Sequence, residues 1–556
     1  MKRCIFYLGI CLTFLCSKSF GQFTQVWSAQ YQHTFTPNYS TESRKVVEDP
    51  LGNIFVLSDV VSDIDPQGVA GISSYHYVTL VKYSTTGVKL AVLNIEVKNH
   101  ITYGYDNFNA FGMETDASGN IYVAYSMYTG PNTFDVGLDK YNNNLSLIYH
   151  SYYSMNGQGY GIDMKVHPNG RIYALVKGTS LGTTSHLLIK SSNTSGPASL
   201  VYSYLGNNAP VLFAFALDGG SKAYVAGYRI KGTIKNAYVG AIDINTGMLN
   251  WSTSYSATGN NGDAVANQIT VGADGGIYTV GTTYTGPSLG DQVLVMKNFP
   301  GIARFDFVVV LKGVSNNKGQ IINAAESGWV YVGSASSTTA SVFRIPNNGI
   351  FTVPGKVEYN PVPSSAYNSI TGLTLKAMKI STSKNIYITG ALKANGPSGD
   401  FSSSYFYKTS VVFGNALQKT GDLGIDGSFT HNYEGMDLSL DYAKLDVYLI
   451  RNFWSNNHTN EYFELIDLGV PSPLRKLTIG KNDLTISPNP ARADVSISSN
   501  DIIDEIALVD LTGKLVARFD GGSNQFTFNT EDFENGIYVC RILTQGAVVT
   551  RRLIIE

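Results

Sequence analysis

Apolar and polar positions alternate along most of this chain with a period of two, the spacing of side chains on a half-buried strand. The alternation is itself repeated. One phrase, an apolar stretch, a short turn, then alternating Ile, Tyr and Val ending in small residues, appears as VVEDPLGNIFVLS (46–58), METDASGNIYVAY (113–125), MKVHPNGRIYALV (164–176) and FALDGGSKAYVAG (215–227). It returns as ITVGADGGIYTVG (269–281), NAAESGWVYVGSA (323–335), MKISTSKNIYITG (378–390) and, in a degraded form, LSLDYAKLDVYLI (438–450). The aromatic anchors Phe55, Tyr122, Tyr173, Tyr224, Tyr278, Tyr331, Tyr387 and Tyr448 are spaced by 67, 51, 51, 54, 53, 56 and 61 residues. Between anchors a second phrase recurs, an apolar strand with a turn, as in YVTLVKYSTTG, FDVGLDKYNNN, HLLIKSSNTSG and QVLVMKNFPG. Each unit therefore predicts about four short strands in roughly fifty residues.

A small sheet in which Ile, Val and Tyr alternate has two partly apolar faces and cannot bury both alone. Stacking such sheets face to face around an axis buries them and leaves only short edges. The D-x-x-G and P-N-G insertions are tight-turn chemistry: Gly takes positive φ, and Asp or Asn bonds its own backbone. A β-solenoid would need a shorter period, and tandem sandwiches would make every second unit differ. The expected fold class is all-β, a β-propeller. The units resemble the bacterial β-propeller repeat family, whose phrase D-x-x-G-N-I-Y-V-x-G is matched best by 116–125 and 49–58. Propellers of that kind close by pairing the first strand with the last blade, and TQVWSAQYQH (24–33) reads as such an orphan strand. Eight blades are expected, with seven as the alternative because the last unit is degraded.

The ends of the chain read differently. Lys2 and Arg3 precede a twelve-residue apolar stretch, Ile5 to Cys16, and Ser19-Phe20-Gly21 supplies small residues for cleavage before Gln22. Twelve residues rise about 18 Å as a helix, short of a bilayer core of about 30 Å, so residues 1–21 are expected to be a signal peptide. Their removal takes away Lys2, Arg3 and Lys18 and no acid, moving the formal charge from −2 to −5. It also removes Cys4, Cys11 and Cys16, leaving Cys540 alone in an apolar strand, a buried hydrophobe rather than a nucleophile. No later stretch reaches the ~20 apolar residues of a spanning helix, so no membrane span is expected in the mature chain.

The fifty-residue rhythm stops near Pro471 and Pro473, placing a propeller at 22–478, a linker at 479–483 and a C-terminal module at 484–556. Phe526 and Phe528 alternate with polar residues, and Asp510-Leu511-Thr512-Gly513 is a hairpin turn. About 75 residues of this type predict six or seven short strands in a small Ig-like β-sandwich. The opening Ser487-Pro488-Asn489-Pro490, the turn from Val509 through Asp510 and Gly513 to Lys514, and Asn535-Gly536-Ile537-Tyr538 resemble the C-terminal sorting domain of type IX secretion cargo. So does the ending Arg551-Arg552-Leu553-Ile554-Ile555. That family belongs to the Bacteroidetes. The resemblance implies export to the periplasm, passage over the outer membrane guided by this domain, and the type IX machinery as a partner.

Composition narrows function mainly by exclusion. Charged residues are 15% and aromatics 12% of the chain. The small negative charge excludes a polybasic surface for nucleic acid. None of the eight His residues (His33, His76, His100, His150, His167, His186, His431, His458) falls in H-x-H or H-E-x-x-H, so no metal site is assigned. His167 stands where other repeats carry the turn Asp. No nucleophile elbow is assigned, and no G-x-x-x-x-G-K-[ST] phosphate loop is present. Asp63 to Gly68 offers oxygen ligands in an inserted turn but lacks the rest of a calcium loop. The stretch from Ala241 to Trp251 is similar to a blade motif of pyrroloquinoline-quinone dehydrogenases, yet a single blade carries it, and it reads as a hairpin with a docking Trp. No catalytic residue and no cofactor is assigned. The expectation is a secreted or cell-surface binding or adhesion protein with a glycan or protein ligand. The alternative is an extracellular polysaccharide hydrolase or lyase with acids converging on the axis.

Overall fold

The computed structural model describes residues 24–31, 39–62, 75–97, 110–130, 133–180, 183–206, 208–257, 262–288, 290–311, 316–324, 328–349, 355–360, 369–381, 385–396, 399–411, 417–422, 431–441, 446–455, 461–469, 485–510, 515–531, 533–544 and 547–556. The expected signal peptide, the Asp63–Gly68 turn and the 479–483 linker lie outside them. The chain divides into two compact units, 1–469 and 470–556. The described residues are all-β, and no helix among them is long and apolar enough to cross a membrane.

The first unit is a propeller-like series of small antiparallel sheets. Seven follow one another along the chain: sheet 1 (39–97), sheet 2 (110–156), sheet 3 (158–204), sheet 4 (211–255), sheet 5 (264–311), sheet 6 (318–359) and sheet 7 (369–422), with the two residues Gly196–Pro197, from within the span of sheet 3, adding a parallel fifth strand to sheet 2. Sheet 8 takes three strands from 431–469 and its fourth from the other end of the chain. Strand Thr24–Tyr31 pairs antiparallel with Glu461–Gly469, Thr24 opposite Gly469 and Tyr31 opposite Phe463. The orphan strand of the sequence thus finds its partner some 440 residues away.

All eight anchors lie on the second strand of their sheets and are at most 2% exposed. Seven of them, all but Tyr387, belong to a core shared with a neighbouring sheet. Phe55, Leu57 and Leu80 of sheet 1 pack with Met113, Ile121 and Val123 of sheet 2. Tyr448 and Ile450 of sheet 8 pack with Val46, Ile54, Val56 and Tyr83 of sheet 1. Burying one such side chain stabilises by about 1.5–3 kcal/mol, and neither sheet can do it alone. The first strand of each sheet packs on the first strand of the next, and that of sheet 8 on that of sheet 1.

One irregularity recurs in every sheet. The first strand carries a one-residue bulge at Arg44, Phe111, Ile162, Phe213, Asn267, Gln320, Lys376 and Met436. Each lies three positions before the residue paired with the anchor. A bulge increases local twist and bends the strand, so a bulge at one register in eight sheets bends eight first strands alike.

The second unit has five described strands, Thr485–Ser487, Asp494–Val509, Leu515–Asn529, Gly536–Thr544 and Ala547–Ile555. Two of them run 16 and 15 residues, and each joins two paired segments, 494–498 with 525–529 and 503–509 with 515–523. Thr485–Ser487 and Gly536–Thr544 pair with different halves of Asp494–Val509. Residues of both halves, among them Val495, Ile497, Leu508, Phe528, Cys540 and Leu553, share one core.

Candidate functional site

The turns between first and second strands are built as the D-x-x-G phrase requires. Asp116 Oδ1 accepts the Ser118 and Asn120 N–H groups at 2.9 Å, and Gly119 follows at φ 77°. Tyr122, the anchor, donates its hydroxyl to Asp116 Oδ2 at 2.9 Å. Burial opposes the charge on Asp116, but hydrogen bonds from Asn120, Tyr122 and Ser118 outweigh it and hold the carboxyl below its usual range. Sheet 5 repeats the arrangement with Asp274 and Tyr278 at 2.7 Å. These acids are turn-builders. His167 shares the role: its Nδ1 accepts the Asn169 N–H at 3.2 Å, and its Nε2 lies 2.8 Å from Gly220 O of the next sheet.

The sequence reading missed a cation on the third strand. Lys82, Lys140, Lys190, Lys297, Arg344 and Lys408 each pair with the anchor of their sheet. Lys140 Nζ lies 4.8 Å from the Tyr122 ring centroid, Lys297 Nζ 5.2 Å from that of Tyr278. Three of these lysines reach the following sheet: Lys82 donates to Asn143 O at 2.7 Å, Lys190 to Ile244 O at 3.3 Å and Lys297 to Asn347 O at 2.9 Å. Each acceptor lies between the third and fourth strands of that sheet. Sheet 4 has Ala241 at the position, and there Trp251, opposite Ala241, donates its indole N–H to Pro300 O at 3.1 Å. Trp251 is thus a docking side chain. The signal was present: a Lys or Arg recurs in the second sequence phrase.

The first strands, each packed on a neighbour, bring charged groups of successive sheets together. Arg44, a bulge residue, donates to Asp59 at 2.6 Å and to both oxygens of Glu42 at 3.1 and 2.7 Å. Asp59 also accepts the Ala110 N–H of sheet 2 at 2.7 Å. Burial raises its pKa despite Arg44. Glu114 of sheet 2 accepts the Val166 N–H of sheet 3 at 2.9 Å. Burial raises its pKa too, against Lys165 and, from sheet 7, Lys379. Lys165 donates to Asp163 at 2.7 Å, and Asp163 with Glu114 raises its pKa against the pull of burial. One link repeats at equivalent positions, just past the bulge. Gln268 Oε1 accepts the Ile322 N–H at 2.6 Å, Asp163 Oδ2 the Phe215 N–H at 3.5 Å, and Asp437 Oδ2 the Val46 N–H at 3.2 Å. The last of these joins sheet 8 to sheet 1.

Away from that face, Asp139 is 2% exposed. It accepts the hydroxyls of Tyr141 at 2.6 Å and Tyr125 at 3.0 Å, and its other oxygen lies 2.6 Å from His150 Nδ1. The hydrogen bond to Asp139 raises the His150 pKa more than burial lowers it. The two residues are register partners on adjacent strands, a His–carboxylate pair that no sequence motif announced.

In the second unit the motif residues separate into a clasp and its surroundings. Asn489, between Pro488 and Pro490, donates its Nδ2 to Arg552 O at 2.7 Å and accepts the Ile554 N–H at 2.9 Å. Ala491 then bridges Ile555 in parallel, donating to Ile554 O and accepting the Glu556 N–H, both at 2.8 Å. Arg551 and Arg552 are exposed on the last strand. Gly536 opens the strand that pairs with it. Tyr538 is buried beside Phe533 and donates its hydroxyl to Glu534 O at 2.7 Å. Asp510 follows Val509, whose pairing with Leu515 flanks the expected hairpin. Gly513 lies outside the described residues. Cys540 is buried, and burial pushes its thiol up to about 12.

Residues 485–556 match the family described as the secretion system C-terminal sorting domain. That domain marks proteins exported by the type IX system to the cell exterior or surface, and the chain is accordingly a secreted or cell-surface protein. No curated protein matches the chain. Among solved structures, one from a study of two prolyl endopeptidases is 10% identical with a TM-score of 0.38, covering 75% of this chain and 55% of its own. Prolyl oligopeptidase B from Galerina marginata is 9% identical with a TM-score of 0.38, covering 71% of this chain and 56% of its own. An apocarotenoid oxygenase from Synechocystis is 7% identical with a TM-score of 0.32, covering 61% and 94%. This chain therefore spans just over half the length of the first two.

Proposed function

We propose that the first unit is a closed eight-bladed β-propeller that binds an extracellular glycan or protein without catalysis, and that residues 484–556 deliver it there through the type IX machinery. The pairing of Thr24–Tyr31 with Glu461–Gly469 and the Asp437–Val46 link support closure with eight blades. One observation carries the binding reading. Acids on or beside the first strands hold sheets together: Asp59, on the second strand of sheet 1, takes Ala110 N–H, Glu114 takes Val166 N–H, Asp163 takes Phe215 N–H and Asp437 takes Val46 N–H. A hydrolase needs one carboxyl free to protonate a leaving group and a second to act on the sugar or water. Carboxylates that serve as joints between blades are poorly placed for either.

The alternative, a polysaccharide hydrolase or lyase, draws on Glu114. Burial favours its protonated form, as a general acid requires, and Asp163 is close enough to act on it. The mature full chain, tested in parallel on a glycan array and for release of reducing ends or unsaturated sugars, separates the readings. Binding without turnover is the expected result. Turnover that Glu114→Gln abolishes would establish the enzyme instead.

A further inference from the structure

Sheets 3 and 4 enclose a second polar cluster that the joints between blades do not use. Lys177 pairs with His186, and His186 with Tyr204, across three strands of sheet 3. On sheet 4, Arg229 pairs with Asn236. Side chains alternate along a strand, so Lys177 and His186 share the face of Leu175 and Leu188. Arg229 and Asn236 share the face of Val225 and Tyr238. Leu175, Leu188, Tyr204, Val225 and Tyr238 form one core between the two sheets. The polar residues therefore face each other across the same seam, close to the Ser180–Thr183 pair and the hairpin at 231–234.

Three atoms there are buried without a hydrogen-bond partner: His186 Nε2, Arg229 Nε and Asn236 Oδ1. His186 is only 2% exposed. Leaving such groups unpaired is costly unless a ligand or solvent satisfies them. The charge is one-sided as well. Among the described residues no carboxylate bonds Lys177, His186 or Arg229, whereas Lys165, Lys235 and Lys297 are paired with Asp163, Asp263 and Asp274. Arg229 lies 5.0 Å from the Tyr238 ring centroid, and Lys177 5.2 Å from that of Tyr160, itself 36% exposed. The seam thus offers two cations, an imidazole and a carboxamide beside an exposed aromatic ring, in a chain whose net charge is negative.

We propose that this seam binds the oxyanion of an acidic saccharide, a uronate carboxylate or a sulfate ester. Lys177 and Arg229 meet the charge, His186 donates a further hydrogen bond to the oxyanion, and Asn236 Oδ1 accepts one from a neighbouring sugar hydroxyl. Tyr160 supplies a ring face against which the sugar stacks. The assignment rests on the binding reading above and names its ligand class. An oxyanion suits these donors because charge-assisted hydrogen bonds are the strong ones and a guanidinium is shaped for them.

The test is calorimetric titration of the mature full chain at low salt with tetragalacturonate, a sulfated galactose disaccharide, neutral counterparts of both, and sodium sulfate. One or both acidic saccharides should bind. Arg229→Gln and Lys177→Gln should each weaken that binding about tenfold or more, with Arg229→Lys restoring part of it and unchanged melting showing that the variants fold. Equal binding of acidic and neutral sugars, or acidic binding indifferent to both variants, overturns the proposal. Sulfate binding as tightly as the saccharides overturns its sugar component. Retained neutral-glycan or protein binding with no response to acidic sugars would sink this assignment alone, whereas turnover without stable binding would sink the broader reading too.

Discussion

The side chain of Asn489 does for Ile554 what a neighbouring strand would do. Its Oδ1 takes the Ile554 N–H at 2.9 Å while its Nδ2 gives a hydrogen bond to Arg552 O at 2.7 Å. One carboxamide thereby satisfies a donor and an acceptor two residues apart on an edge strand, and Ala491 continues the cover to Glu556. Asn489→Ala should cost the module about 1–3 kcal/mol, the penalty for unmade hydrogen bonds to backbone groups. Hydrogen exchange of the Ile554 amide reports it directly, with roughly tenfold faster exchange for each 1.4 kcal/mol. An unchanged rate at Ile554 would mean that Asn489 does not hold the strand.

Closure can be tested at its seam. Deleting residues 22–31 removes the outer strand of sheet 8 and exposes the edge of Glu461–Gly469. The expected outcome is a lower urea midpoint with a shallower, less cooperative transition, followed by tryptophan fluorescence. Asp437→Ala should lower the midpoint as well, since it leaves the Val46 N–H without its acceptor. A deletion variant that unfolds as cooperatively as the parent would count against closure.

Trp251 offers a cleaner substitution than any of the lysines it stands in for. Trp251→Phe keeps most of the buried ring and removes the indole N–H bonded to Pro300 O. A loss of about 1 kcal/mol is expected, read from chemical denaturation. A loss of several kcal/mol would show that packing and not the hydrogen bond fastens sheet 4 to sheet 5.

His150 sets a pH dependence. Its folded pKa is raised by Asp139, so folding favours the protonated ring. That stability is fully present below the ordinary histidine value of about 6.5 and is lost as pH rises through the raised folded value. Thermal unfolding followed from pH 6 upward should show the decline, and His150→Gln should flatten it. His186 has the opposite sign. Burial, with Lys177, lowers it to about 4, so its contribution is intact above about 6.5 and fades as pH falls toward about 4. His186→Gln should blunt the acid loss, and equal acid sensitivity in the variant would exclude His186 as its source.

Several levels of this protein were legible in the amino-acid order. Phe55 and Tyr448 stand 393 residues apart, yet each announced itself by a local phrase, because a strand that buries one face must repeat its apolar residues every second position. The D-x-x-G turns were readable for the same reason: Asp116 bonds the backbone two and four residues on, within its own turn. The sorting module was readable as a resemblance, whereas the joining of its short paired segments into two long strands was not, since a continuous strand and two short ones carry the same alternation. What only the tertiary structure decided lies across strands and sheets. Asp139 meets His150 through a hairpin whose register shifts at Lys140 and Tyr141, and a one-residue slip would have turned them to opposite faces. The same holds for the lysines that reach the next sheet, for Thr24 opposite Gly469, and for the unpartnered nitrogens of His186 and Arg229. Pattern fixes which side of a strand a residue occupies; what stands opposite depends on how separate sheets come together, and that information is distributed over the whole chain.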